Sequence, residues 1–244
     1  ENSIFVNPTN VKKLLNSNNS TDWNGVSVTT LYGASGLLST DAGSTWGGQI
    51  AGTGGSNSGD PSAAINLSGR YYVGYIASGG GQGVAYSTNE GASWTHVQVA
   101  PNPGSLADKK HLWVDNSPSS PYSGRLYSAW TDFGGVNNNQ IVISRSADNG
   151  LTWSARVPIS TAVSAGSHNQ GVNIQTGPNG EVYAVWAIYD GWPTDEAALG
   201  FARSLDGGVT WSAATRIITN IRGIRTTRTS KNHRVNSFPV MAVD

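Results

Sequence analysis

The sequence predicts an all-β fold built from repeated four-stranded antiparallel units, and three observations predict it. An eight-residue motif recurs four times without gaps. The segments between its copies read as short strands bounded by Gly, Pro and Asn. No segment sustains the 3.6-residue period of an amphipathic helix.

The copies are Ser39-Thr-Asp-Ala-Gly-Ser-Thr-Trp46, Ser87-Thr-Asn-Glu-Gly-Ala-Ser-Trp94, Ser146-Ala-Asp-Asn-Gly-Leu-Thr-Trp153 and Ser204-Leu-Asp-Gly-Gly-Val-Thr-Trp211, at intervals of 48, 59 and 58 residues. Their chemistry is that of a hairpin turn. Asp41, Asn89, Asp148 and Asp206 are expected to accept backbone N–H groups one or two residues on. Gly43, Gly91, Gly150 and Gly208 supply the positive φ that closes the turn. Trp46, Trp94, Trp153 and Trp211 fold back as apolar lids at the outer edge. These residues read as structural, not catalytic.

Strands follow in the same order around each motif. The second unit reads as 63–66, 70–76, 84–87 and 94–99. The third reads as 111–115, 125–132, 140–144 and 152–159. The fourth reads as 171–175, 181–188, 198–203 and 210–217. The first is less regular, with 3–7, 11–16, 28–39 and 46 onward. Repeats of 50–60 residues, each one four-stranded sheet, indicate a β-propeller. The blades span about 1–55, 56–104, 105–164 and 165–220. Residues 221–244 read as a connection and the first strand of a further blade, because Phe238-Pro-Val follows the pattern of Asp60-Pro-Ser. A closed four-bladed ring, with 238–243 as its closing strand, is the alternative.

Composition narrows the function classes. Among 244 residues, 15 Lys+Arg balance 15 Asp+Glu, and only 12% are charged, about half the usual 25%. Zero net charge gives no global pull toward nucleic acid or anionic lipid. No apolar run approaches the roughly 20 residues that span a bilayer. Cys is absent, which removes disulfides, thiolate nucleophiles and Cys-based zinc sites. With abundant Gly, Asn, Ser and Thr, this composition points to an exported bacterial protein, and Glu1 reads as a mature terminus after signal-peptide removal.

The four Ser-x-Asp-x-Gly-x-Thr-Trp segments resemble Asp-boxes, the repeats of bacterial neuraminidases and related secreted surface proteins. The resemblance covers nearly the whole chain. It implies a ring of about six blades, so that remaining blades of the same protein would be the partners of these four. It also implies a secreted or cell-surface location. Sialidase-like members use an Arg triad, a Tyr nucleophile assisted by Glu, and an Asp acid/base. An Arg-Ile-Pro motif normally precedes the first box, but the first 38 residues contain no Arg. Arg156-Val-Pro158 follows a box instead and is set aside.

If the boxes join third and fourth strands, a ligand meets the opposite axial face. Loops entering the first strands place Asp60, Asp108–Lys110, His168–Gln170 and Arg234 there. Loops joining second to third strands place Asp132, Phe133, Tyr189, Asp190, Trp192, Asp195 and Glu196 there. Carboxylates, amides, a His and aromatic faces suit a sugar. The ligand-binding candidates are Asp60, Asp108, Asp132, His168, Asp190, Trp192, Arg225, Arg228 and Arg234. The basic run 222–234 holds five Lys+Arg and no acid, so it could hold an acidic sugar through bidentate Arg contacts or serve as a solvated loop. No aromatic residue interleaves with it, against nucleic-acid binding.

The sequence therefore predicts a secreted propeller that recognises an extracellular glycan or surface ligand and requires no cofactor. Two alternatives stand beside it: a sialidase-like glycoside hydrolase, and an adhesion module. Nothing selects a catalytic pair among the carboxylates. Carboxylates with backbone carbonyls could also bind Ca2+.

Overall fold

The computed structural model describes residues 2–25, 27–49, 57–227, 230 and 235–244. It is an all-β chain of four antiparallel sheets, arranged as propeller blades. Blade 1 contains β1 (Asn2–Val6), β2 (Leu14–Trp23), β4 (Gly36–Ser39) and β5 (Gly47–Gln49), with β3 (Val28–Ala34) added on β2. Blade 2 is β6 (Ser62–Ile65), β7 (Tyr71–Ile76), β8 (Gln82–Ser87) and β9 (Thr95–Ala100). Blade 3 is β10 (Leu106–Val114), β11 (Leu126–Phe133), β12 (Gln140–Ser146) and β13 (Val157–Pro158). Blade 4 is β14 (His168–Thr176), β15 (Val182–Tyr189), β16 (Ala198–Ser204) and β17 (Thr215–Ile218).

The second strand of a blade is covered on both faces by neighbouring sheets, so it reads as a nearly continuous apolar run. β7 is buried at every position, and Tyr72, Tyr127, Trp130 and Trp186 are wholly buried. The outer strands keep one side in solvent. The outermost strand β17 is exposed throughout, and β13 is only two residues long where the sequence suggests eight. Few apolar residues there have a sheet to pack on.

The inner strands start earlier than their apolar runs. β10 begins at Leu106 and β14 at His168, because each carries a bulge that restarts the apolar alternation. Lys109 and Gly171 sit in these bulges with φ of 49° and 73°. Residues 108–110 and 168–170 are therefore strand residues rather than loop residues.

Successive inner strands are joined by one repeated hydrogen bond. Ser3 Oγ accepts from Ala63 N at 2.9 Å, and Ser62 Oγ accepts from Leu112 N at 2.9 Å. His111 Nδ1 then accepts from Ile174 N at 3.1 Å, and Asn173 Oδ1 from Met241 N at 3.2 Å. Ser62, His111 and Asn173 each immediately precede the residue that donates to the blade before. Met241 thus occupies the register of Ala63, Leu112 and Ile174. Residues 235–244 lie along β14 where the next inner strand would run, although they join no ladder. Phe238 packs so close to Gly171 that a Cβ there would meet its ring at 2.0 Å. Among the described residues no ladder links 238–243 to blade 1, so the four-bladed closure is not formed.

The repeat turns join third to fourth strands, as the sequence predicts. In the first, Ser39 Oγ bonds Asp41 and accepts Gly43 N at 2.8 Å, while Asp41 accepts Thr45 N at 2.8 Å and Thr45 Oγ1 at 2.6 Å. The same bonds recur around Asp148 and Asp206. In the second turn, Asn89 Nδ2 donates to Ser93 Oγ instead. Two features differ from expectation. The acidic side chain reaches four residues on rather than two, and the residue before each Gly is also left-handed: Ala42 (60°), Glu90 (55°), Asn149 (60°) and Gly207 (66°). The lids are not fully buried either. Trp94, Trp153 and Trp211 are half-buried against the core, and Trp46 is 42% exposed.

Candidate functional site

The face away from the repeat turns gathers its side chains mainly at the seam of blades 3 and 4. His168 opens β14, and its imidazole lies 3.8 Å from the Trp192 indole, centroid to centroid. Phe133, at the end of β11, and Tyr189, at the end of β15, stand 5.0 and 5.8 Å from the same imidazole. The Arg225 guanidinium lies 4.0 Å from the centroid of the same indole. Trp192 is 37% exposed, so part of the indole is open to solvent.

This cluster is rigidly backed. Nδ1 of His168 pairs with Asn139 Oδ1 at 2.9 Å, which places the ring proton on Nδ1. Burial lowers the His168 pKa to about 4, with the Gln170 amide opposing and Arg225 adding to the shift. The imidazole is therefore neutral near pH 7. Arg225 donates from Nε to Pro193 O at 3.2 Å and from Nη1 to Asn236 Oδ1 at 2.9 Å. Glu196 is buried, with Tyr189 OH, Ile224 N, Arg225 N and Ser237 N all donating to its carboxylate. Burial alone would raise its pKa, but these donors hold it below the usual value. Glu196 thus fixes residues 224–225 and 237 against the blade.

The other carboxylates of this face are also partnered. Asp132 is buried and meets Arg156 Nη1 at 3.0 Å and Trp130 Nε1 at 2.7 Å. Asp190 is exposed and paired with Arg216, whose hydrogen bond lowers the Asp190 pKa. Asp108 accepts Gln170 Nε2 at 2.6 Å. Asp60, left-handed at φ 51°, lies away from this seam, with its N–H on Asn19 Oδ1 at 2.8 Å. The expected gathering is therefore partial. His168, Trp192 and Arg225 touch, Asp108 adjoins them through Gln170, Asp132 and Asp190 are each held by an Arg, and Asp60 belongs to the seam of blades 1 and 2.

Arg225 reaches the rim but is buried, with its guanidinium engaged as above. Arg228 and Arg234 lie outside the described residues. Among the described residues, no three His, Cys, Asp or Glu side chains gather as metal ligands. Sequence reasoning missed Arg156, Arg216 and Asn139. Arg156 follows a repeat turn beside the outer strand, and that position lets it reach across its own sheet to Asp132. No local signal marks such pairs.

Among the described residues, no helix is long and apolar enough to cross a membrane. No protein-family model matches the sequence, and no curated protein matches it. Solved structures do resemble the chain. One is a protein of unknown function from Dyadobacter fermentans, with 18% identity and a TM-score of 0.59 over 88% of this chain and 68% of that one. Another is an alpha-L-arabinofuranosidase from Fusarium graminearum, with 17% identity and a TM-score of 0.56 over 90% of this chain and 66% of that one. A third is a leech intramolecular trans-sialidase, with 12% identity and a TM-score of 0.59 over 88% of this chain and 50% of that one. The chain thus spans between half and about two thirds of these proteins. At such identities the likeness shows the fold, and that fold is shared with the arabinofuranosidase and the trans-sialidase.

Proposed function

We propose that this chain is part of a secreted, Asp-box-type propeller that recognises an extracellular glycan on the face away from its repeat turns. The observation that carries this reading is the partly exposed Trp192 indole. It is backed by His168, Tyr189, Phe133 and Arg225 and stands beside the Asp108–Gln170 pair. A partly exposed aromatic side chain with adjacent amide and carboxylate groups suits the apolar part and the hydroxyls of a sugar. The resemblance to an arabinofuranosidase and a trans-sialidase supports a carbohydrate ligand.

Recognition without chemistry is favoured over hydrolysis in these residues. Glycosidases need one carboxyl free to give a proton and another free to attack or activate water. Here Asp132, Asp190 and Glu196 are each occupied by Arg or by several N–H and O–H donors. One observation keeps a sialidase-like hydrolase as the second reading: Tyr189 OH donates to Glu196 at 3.1 Å, the residue types of that family's nucleophilic pair. Both are buried, however, and the Glu196 carboxylate is saturated with donors.

The test is calorimetric titration of neutral and sialylated oligosaccharides into wild type and Trp192→Ala, with product release followed in parallel. The reading expects binding that falls roughly tenfold or more in the variant, about 1.4 kcal/mol, and no product. Equal binding by both proteins contradicts it. Product release lost in Glu196→Gln would favour the hydrolase.

A further inference from the structure

On the repeat-turn side the three seams share one construction, and two of them are filled. The turn serines Ser39, Ser87 and Ser146 lie across the ladder from Leu14, Tyr71 and Leu126, so the residues that follow, Leu15, Tyr72 and Tyr127, are equivalent. At the second seam the Tyr72 phenol bridges the blades. It donates to Asn149 O at 3.2 Å and accepts from Asn66 Nδ2 at 3.3 Å, while Arg70 Nη1 donates to the same Asn149 O at 3.0 Å. At the third seam Tyr127 is buried, the hydroxyls of Ser117 and Ser119 donate to Pro178 O at 3.1 and 2.8 Å, and Arg125 Nη1 donates to Gly207 O at 2.7 Å.

The first seam has Leu15 at that position, with neither ring nor hydroxyl. Asn7 and Glu90, the counterparts of Asn66 and Asn149, instead line an open cleft of about 350 Å³. Its wall is polar. Asn10 Oδ1 accepts from Lys12 N at 3.1 Å, which leaves the Asn10 Nδ2 as a donor, and the Ser68 and Thr88 hydroxyls are donors and acceptors at once. Two of the lining residues are charged, and they pair with each other across the seam: the Lys13 ammonium and the Glu90 carboxylate, both partly exposed. An exposed pair of this kind contributes little alone. A simple anion placed here would gain Lys13 and be repelled by Glu90, and a simple cation would meet the reverse.

We infer that this cleft between blades 1 and 2 binds a small zwitterion, a free α-amino acid with a short polar side chain. Lying antiparallel to the Lys13–Glu90 pair, such a ligand sets its carboxylate beside the Lys13 ammonium and its own ammonium beside the Glu90 carboxylate. The four charges then close an alternating square, and both new contacts are charge-assisted hydrogen bonds, about twice as strong as neutral ones. The ligand side chain meets the amide and hydroxyls of Asn10, Ser68 and Thr88. Tyr71, also in the lining, is buried, so it offers no aromatic face to a sugar ring. The cleft lies on the face opposite Trp192 and is independent of glycan recognition there.

The test is a titration of L-serine into the isotope-labelled chain, followed by backbone amide chemical shifts, with acetate, methylammonium and glucose as parallel probes. The expected result is saturable shifts confined to 7–13, 67–69 and 88–90, with serine bound about tenfold or more tightly than any other probe. Glu90→Gln and Lys13→Gln, both surface changes, should each weaken serine about tenfold and leave the rest of the spectrum as it is. Serine shifts that miss these segments overturn the inference, and so does acetate or methylammonium binding there as tightly as serine. Glucose bound there as tightly would make the cleft a saccharide site and overturn it too. Equal serine affinity in wild type and both variants would remove the charge pair from recognition and with it the zwitterion.

Discussion

Asp148 shows how a single residue earns its place in the turn. Its carboxylate accepts the N–H and the hydroxyl of Thr152, and these bonds lower its pKa to about 2. The folded carboxyl thus ionises more readily than the unfolded one, whose value is about 3.9. Its contribution to stability is fully present above about pH 4 and is lost as pH falls toward 2. Asp41 behaves in the same way through Thr45. Asp148→Asn should keep the turn, as Asn89 does in blade 2, while removing part of this acid sensitivity. Urea melts from pH 7 to pH 2 would show near-equal midpoints at neutral pH and a shallower decline for the variant. A decline parallel to wild type would show that the bonds do not set the acid response. The lids give a graded prediction. Trp211→Ala should cost about 2 kcal/mol, within the 1.5–3 kcal/mol for burying a large apolar side chain, since the indole packs on the core but is only half-buried. Trp46→Ala should cost well under half of that. Equal costs in denaturant melts would contradict the packing seen here.

Inner strands show what a pattern reading captures and what it loses. The alternation of 171–175 and 111–115 marks strands, but the bulges at Lys109 and Gly171 break it, so the extensions back to His168 and Leu106 were not legible. The equivalence of Ser62, His111 and Asn173 was not legible either, because it depends on which N–H each side chain faces in the next blade. That equivalence has a consequence for pH. Burial, with Lys109 and Lys110 nearby, lowers the His111 pKa to about 4, while Trp113 and Asn173 pack on the ring. Its Nδ1 must stay unprotonated to accept from Ile174. A His pKa below its unfolded value of about 6.5 means stability that is full above pH 6.5 and lost as pH falls toward 4. His111→Ser copies the residue used at the two preceding seams and should reduce that loss. Thermal melts of both proteins between pH 7 and pH 4 check it. Unchanged pH dependence in the variant would assign the loss elsewhere, with His168 the next candidate.

At the scale of the whole molecule, the four repeat motifs were enough to place four blades, the face carrying the turns and the face opposite. Specific pairs were beyond reach. Arg156 finds Asp132 across its own blade, Arg216 finds Asp190, and Ile224, Arg225 and Ser237 donate their N–H groups to Glu196. Each joins segments whose separation in sequence carries no signal. These pairs change the expected chemistry of the rim, because they occupy the carboxylates that a paired-carboxylate hydrolase would need and leave Trp192 as the exposed element. The central claim is that ligand is held there. It is tested most directly by hydrogen–deuterium exchange of the protein with and without its tightest-binding oligosaccharide. The account predicts added protection in peptides covering 133–139, 168–170 and 189–196, and none in the four repeat turns. Protection confined to the repeat turns or to blade 1, with the 189–196 peptides unchanged, would contradict it.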